Sequence, residues 1–227
     1  MKIMNFVFVL TVMMLTSLFL SGCKKNTPDN EFEVRLIDGG NAIEIVKYNG
    51  ASQNVTIPSE INGLPVTRIG FVAFARKGLK TINIPNSVVS IGNGAFGENQ
   101  LTSVNIPSSV TCIGEFAFTR NLLTQVIIPN GVVHIRFATF ANNHLSQVTI
   151  PNGVQFIATA AFKDNQLTQV IIPSSVGSIG ILAFAQNQLV RVTIPSGASI
   201  AGVYNPNSGV YTQTSFDRDV RIIRQQD

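Results

Sequence analysis

Apolar and polar positions along the chain fall into columns that return at a fixed interval. Isoleucine followed by proline occurs seven times, at Ile57-Pro58, Ile84-Pro85, Ile106-Pro107, Ile128-Pro129, Ile150-Pro151, Ile172-Pro173 and Ile194-Pro195, and the last six prolines are each 22 residues apart. A repeat of roughly 20–30 residues marks a solenoid. Six residues before these prolines stands Leu79, Leu101, Leu123, Leu145, Leu167 or Leu189, and three before stands Ile82 or a valine. Three and six residues after come a valine (Val88, Val110, Val132, Val154, Val176) and an isoleucine (Ile91, Ile113, Ile135, Ile157, Ile179). A phenylalanine column, Phe74, Phe96, Phe118, Phe140, Phe162 and Phe184, closes the pattern and usually follows alanine.

These columns predict elements. In Leu-x-x-Val-x-Ile-Pro the last Val and Ile alternate with polar residues, which is strand periodicity. Proline ends the strand because it has no N–H to give to a ladder. Ser108-Ser109, Asn130-Gly131 and Asn152-Gly153 are turn residues. The Val-x-x-Ile segment then crosses the far side, and Ala-Phe returns through the interior. Each repeat is therefore one coil, unable to fold alone and stabilised by its neighbours. Asn99, Asn121, Asn143, Asn165 and Asn187 lie two residues before the leucines. Asparagine tolerates unusual backbone angles, and its amide can satisfy buried backbone groups, so a ladder holding the turns is expected; Lys77 replaces it in the first coil.

The ends depart from the repeat. Residues 32–34 and 43–46 have strand patterning around the turn Asp38-Gly39-Gly40, and five residues, expected at 60–64, are inserted between Pro58 and Pro85. After Pro195, Ala198 and Ala201 replace Val and Ile, and Asn205-Pro206 stands where Ala-Phe is due. Residues 210–212 and 220–223 are predicted to form a hairpin over the last coil, since an uncovered edge invites aggregation.

Units such as Leu101-Thr-Ser-Val-Asn-Ile-Pro107-Ser-Ser-Val-Thr-Cys-Ile113-Gly114, ending in Ala117-Phe118, resemble the BspA-like, or treponemal-type, leucine-rich repeats. The opening Ile57-Pro58, Ile61-Asn62-Gly63-Leu64-Pro65-Val66, Ile69-Gly70 and Ala73-Phe74 resembles that family's usual start, and the likeness covers about residues 32–202. Asn-x-Leu stands where many members have cysteine. The resemblance implies a β-rich, right-handed leucine-rich-repeat solenoid of parallel strands and 22-residue coils. It also implies an exported bacterial protein, several of its relatives being adhesins for host proteins or other bacteria. With the ends included, the expected organisation is a signal peptide at 1–22, a lipidated linker at 23–31, an N-terminal β cap at 32–65, the solenoid at 66–202 and a C-terminal hairpin cap at 203–227.

The N-terminus supplies the address. Residues 6–20 are uncharged and mostly apolar behind Lys2. This stretch is shorter than the roughly 20 residues of a spanning helix and suits a signal-peptide core. Leu20-Ser21-Gly22-Cys23 resembles a bacterial lipobox, which would make Cys23 the lipidation site and place the chain in the cell envelope, at the outer membrane and cell surface or facing the periplasm. Two or more acyl chains anchor stably. Cys112 is then left without a disulfide partner. The net charge of +4 comes without a Lys/Arg stripe, so nucleic acid is not an expected partner.

Candidate chemistry is thin, and neither an enzyme nor a cofactor is expected. Gly92-Asn-Gly94-Ala-Phe-Gly97 fits G-x-G-x-x-G but occupies repeat columns filled by Arg136, Ala138 and Ala141 two coils on, outside a strand–turn–helix unit. Cys112 and His134 lie 22 apart and should be neighbours, a pairing that could activate a thiol, but Ser90, Phe156 and Ser178 share the column. No metal-ligand spacing emerges, and His144 stands alone among Gln100, Gln166 and Gln188.

The strand face offers the broadest candidate surface. Thr81 and Asn83 begin two outward columns that continue as Ser103, Asn105, Gln125, Ile127, Gln147, Thr149, Gln169, Ile171, Arg191 and Thr193. The strip is uncharged until Arg191 and carries two isoleucines in a polar frame. The expectation is that it binds a protein ligand, a host or bacterial surface protein. The alternative is a structural component of the envelope in which the solenoid is a spacer.

Overall fold

The computed structural model describes residues 27–205, 210–213, 215–217 and 220–225. The expected signal peptide and Cys23 lie outside the described residues. Almost all regular structure is short strand, and the coils stack through parallel pairing, as the 22-residue period requires.

Two ladders run along the stack. The first is built from the pre-proline strands and comes in pieces: Asn54–Thr56 with Thr81–Asn83, Gln125–Ile127 with Gln147–Thr149, and Arg191–Ile194 with Arg221–Arg224, all parallel. Between the pieces, residues 103–105 form no strand, and Ile171 makes a single bridge to Thr193. The second ladder, on the segment expected merely to cross the far side, is more continuous. Ser90–Ile91 pairs with Cys112–Ile113, while His134–Ile135, Phe156–Ile157, Ser178–Ile179 and Ser199–Ile200 make a four-stranded parallel sheet. Residues that alternate face across a strand explain both: Val126 is buried while Gln125 and Ile127 are exposed. After each proline a turn closes by a bond from the valine N–H to the proline carbonyl, 3.1 Å for Val88 to Pro85 and 3.0 Å for Val110 to Pro107.

The six repeat phenylalanines do line up on one interior axis. Consecutive rings from Phe74 to Phe184 stack with centroids 5.2–5.6 Å apart, and each ring is buried. Tyr48 extends the column at one end, 5.4 Å from Phe74, and Phe216 at the other, 5.3 Å from Phe184. The Tyr48 hydroxyl donates to Glu31 at 3.1 Å, and burial together with that carboxylate raises its pKa.

Beside the rings runs the asparagine ladder. Asn121 Nδ2 donates to the carbonyls of Phe96 at 2.9 Å and Phe118 at 3.1 Å, while its Oδ1 accepts the Leu101 N–H at 3.1 Å. Asn143, Asn165 and Asn187 repeat the arrangement one coil at a time. The unusual backbone angles sit one residue upstream of the ladder, at Glu98, Arg120, Asn142, Asp164 and Gln186, whose φ values are 52–62°. A second left-handed position lies two residues before each ring, including Val72 at φ 47° and Phe116 at φ 57°. Cross-coil bonds hold both, as from Glu98 N–H to Thr119 O at 2.9 Å and from Val72 N–H to Asn93 O at 2.9 Å.

The ends complete the stack. Phe32–Ile37 pairs antiparallel with Ala42–Tyr48, which runs parallel to Leu64–Ile69 and so joins the second ladder to the N-terminal cap. The insertion is a tight hairpin, with Glu60–Ile61 antiparallel to Leu64–Ile69 and the turn residues Asn62 and Gly63 at positive φ. A C-terminal hairpin also forms, with different strands from those expected. Gly202–Asn205 pairs with Val210–Gln213, while Arg221–Arg224 joins Arg191–Ile194 as the next parallel strand. Ser215-Phe216, not Asn205-Pro206, stands for Ala-Phe: Phe184 N–H donates to Ser215 O at 2.8 Å, as Phe162 N–H does to Ala183 O. The hairpin lengthened this coil and hid its aromatic from a search at fixed spacing.

Candidate functional site

Alternation within each pre-proline segment turns the predicted strip outward. Ser103, Asn105, Gln125, Ile127, Gln147, Thr149, Gln169, Ile171, Arg191 and Thr193 are all exposed. Parallel register places Gln147 beside Gln125 and Thr149 beside Ile127. Ile127 is 72% exposed and Ile171 81%, while the intervening Val126 and Val170 point into the core. The interrupted ladder leaves a cleft of about 320 Å³ between two coils, lined by Gln147, Thr149, Gln169 and Ile171 among others. Hydroxyl and amide side chains here give donors and acceptors without fixed charge, a surface suited to hydrogen-bonding a polypeptide.

At the C-terminal end the strip gains a row absent from the sequence reading. Arg221 lies beside Arg191 and Ile223 beside Thr193. The two stretches were legible as strands, but their parallel pairing depends on the chain returning through Phe216. Arg224 turns away from the strip and donates to Ser196 O at 2.8 Å and Ala198 O at 2.9 Å.

A second concavity, also missed, lies on the turn side of the coils. Phe71, Val72, Gly94, Gly97 and Phe116 line a cavity of about 600 Å³. Phe71 is 71% exposed, and Phe116 meets Phe137 edge-on at 4.9 Å. The floor is low because the second coil has glycine where its neighbours have Val72 and Phe116; a Cβ on Gly94 would lie 3.0 Å from Val72. Arg76 clamps Glu98 across the coils at 2.9 and 3.0 Å, which raises the arginine pKa and lowers that of the carboxyl. The signal available in sequence was a bulky residue left two or three places before the ring, at Phe71, Phe116 and Phe137.

The residues weighed for chemistry are placed apart in function. Cys112 is half-buried with the Arg136 guanidinium 4.0 Å from its sulfur, and it forms no disulfide. His134 is exposed and packs edge-on against Phe156 at 6.4 Å. Their strands are not paired, because the second ladder breaks between them. Gly70, Gly92 and Gly114 let backbones meet: a Cβ on Gly92 would fall 2.8 Å from Gly70 and one on Gly114 would fall 2.5 Å from Gly92. Arg136 brings a Cβ to that column, and Thr139 replaces alanine, its hydroxyl 3.2 Å from Gly114 O and 3.0 Å from Arg136 O. The glycines of the G-x-G-x-x-G string thus serve coil packing and the turn-side cavity. His144 is exposed, 3.4 Å from the Gln166 amide. Among the described residues, no three His, Cys, Asp or Glu side chains are grouped to hold a metal, and no helix is long and apolar enough to cross a membrane.

The repeat model for the BspA type leucine-rich repeat region matches residues 67–191 in 6 copies. No curated protein matches the chain. Among solved structures, a leucine-rich cell surface protein from Faecalibacterium prausnitzii is 24% identical over 86% of this chain, with a TM-score of 0.54. The chain spans 62% of the length of that protein. A leucine-rich repeat protein of T. pallidum is 27% identical over 74% of this chain and 71% of its own, with a TM-score of 0.44. One from Bacteroides ovatus is 18% identical over 86% and 66%, with a TM-score of 0.48. Six tandem copies, the stacked rings and the shared fold lead to one assignment: the chain belongs to the BspA-type leucine-rich-repeat family.

Proposed function

We propose that this protein is exported, anchored to the cell envelope through lipid on Cys23, and binds another protein through the outward strip of its pre-proline strands. The carrying observation is the exposure of that strip, with Ile127 and Ile171 standing free in a frame of Gln, Thr and Ser. Solenoids present broad binding surfaces along their length, and the two isoleucines offer apolar contacts within such a surface. The description of the Faecalibacterium prausnitzii protein as a cell surface protein supports the envelope location. The lipobox-like Leu20-Ser21-Gly22-Cys23 supports the anchor. Labelling of intact cells with a fatty-acid analogue should mark the wild type and not Cys23→Ala.

The binding reading is tested by Gln147→Lys with Gln169→Lys. Surface changes of this kind shift stability by about 0.5 kcal/mol or less, so the melting curve should stay in place while capture of a surface-protein partner is lost. Unchanged capture would remove the strip from consideration. The cavity lined by Phe71 and Phe116 favours a second reading, in which the turn side binds; Phe71→Ser with Phe116→Ser should then abolish capture in place of the glutamine pair. If neither pair matters and protease fails to reach the repeats on intact cells, the solenoid serves as a spacer within the envelope.

A further inference from the structure

The C-terminal row of the strand face carries a feature that folding alone disfavours. Arg191 and Arg221 are direct neighbours on parallel strands, and both are exposed. Among the described residues neither side chain has an ion-pair or hydrogen-bond partner. Like charges directly opposite each other on a sheet destabilise it. Along the chain, Asp217 is engaged elsewhere, its two oxygens accepting the N–H groups of Gln186 and Asn187 at 2.8 and 3.2 Å, and Asp219 lies outside the described residues.

Alternation and register give this end of the strip a defined pattern. Arg191 and Arg221 form one row, and Thr193 and Ile223 the next, which a single bridge extends to Ile171 one coil back. Ile171 borders the cleft described above, and Val190, beside Arg191, is 76% exposed. Arginine is among the residues enriched at the centres of protein interfaces. Two arginines are too few for a phosphate-tracking stripe, and the Thr193 hydroxyl and Gln169 amide on the same face can hydrogen-bond a peptide backbone.

We propose that this end of the strand face receives an acidic, extended segment of a protein partner, with carboxylates over Arg191 and Arg221 and an aliphatic side chain against Ile171. The proposal rests on the strand-face reading and adds the chemistry of the partner. Planar guanidinium groups take carboxylates in bidentate fashion, so an unpaired arginine pair fits two acids spaced along one segment. Opposite potentials also steer encounter and exclude basic segments.

The test is to pan a random dodecapeptide phage library against the full chain, against Arg191→Glu with Arg221→Glu, and against Gln147→Lys with Gln169→Lys. Peptides selected by the wild type should be enriched in Asp or Glu beside an aliphatic residue. They should lose at least about tenfold in affinity on the charge-reversed protein, as for truncated or reversed interfacial charges. Arg221→Gln should melt no lower than the wild type, since it removes a repulsion, which separates a binding role from a structural one. Selected peptides without acidic enrichment, equal affinity for the charge-reversed protein, or no selected peptides at all would overturn the proposal. Sedimentation with phosphatidylglycerol vesicles that depends on both arginines, in place of peptide binding, would overturn it in favour of a membrane surface. If peptides bind the wild type and the charge-reversed protein equally but not the glutamine-to-lysine protein, the strand-face reading survives and this refinement falls.

Discussion

The turn side and the strand face arise from the same 22-residue unit and are built in opposite ways. On the turn side the coils from Phe96 to Phe184 repeat the same ring and the same amide, and Asn121, Asn143 and Asn165 are buried with their groups occupied. On the strand face the ladder is interrupted at residues 103–105 and 169–171, and the outward residues change from coil to coil. The difference shows where the stack derives its cohesion. Rings, amides and the second ladder hold the coils together, so the front face can vary in chemistry at small cost to the fold.

That contrast can be broken hardest from inside. Phe118→Ala removes a ring from the middle of the stack and should cost about 3–5 kcal/mol, the usual range for a buried phenylalanine, measured by urea unfolding. Asn121→Ala leaves the buried Leu101 N–H without an acceptor and should cost about 1–3 kcal/mol. An Asn121→Ala protein as stable as the wild type would show that the ladder is a by-product of packing. Arg136→Gly sharpens the comparison, because it restores the glycine column at the break in the second ladder. The gain of a backbone bond and the entropy of glycine oppose each other, so stability should move by less than about 1 kcal/mol. The amide of residue 136 should nevertheless become protected from hydrogen exchange as it reaches Ile113 O. The glutamine pair on the strand face should move stability least of all.

The interior was legible in the sequence to the residue. Ring, leucine and asparagine columns each have a single permitted chemistry, because burial selects shape and leaves no polar group unpaired. Correctly anticipated, too, were the outward positions of the strip, since alternation alone sets them. Three things were hidden. The second ladder rests on two-residue strands such as Ser90–Ile91, too short to show a period. Phe216 was displaced by the hairpin Gly202–Asn205 with Val210–Gln213, so the arginine pair on neighbouring strands went unseen. The cavity at Phe71 depends on Gly94 and Gly97 standing between bulkier residues of the adjacent coils, a contrast that shows only when neighbouring coils are compared position by position.

Asp217 covers two backbone donors of the Phe184 coil. In earlier coils the equivalent N–H groups donate to backbone carbonyls of the next coil, as Asp164 N–H does to Ala185 O and Asn165 N–H to Gln186 O; here a carboxylate takes the place of both carbonyls. With Gln186 and Asn187 N–H bonded to Asp217, a second molecule approaching end-on finds these two donors already occupied. Head-to-tail contacts that do not close grow into fibres. A carboxylate over these two donors works against end-on stacking, and Asp217→Ala should show as concentration-dependent light scattering that the wild type lacks.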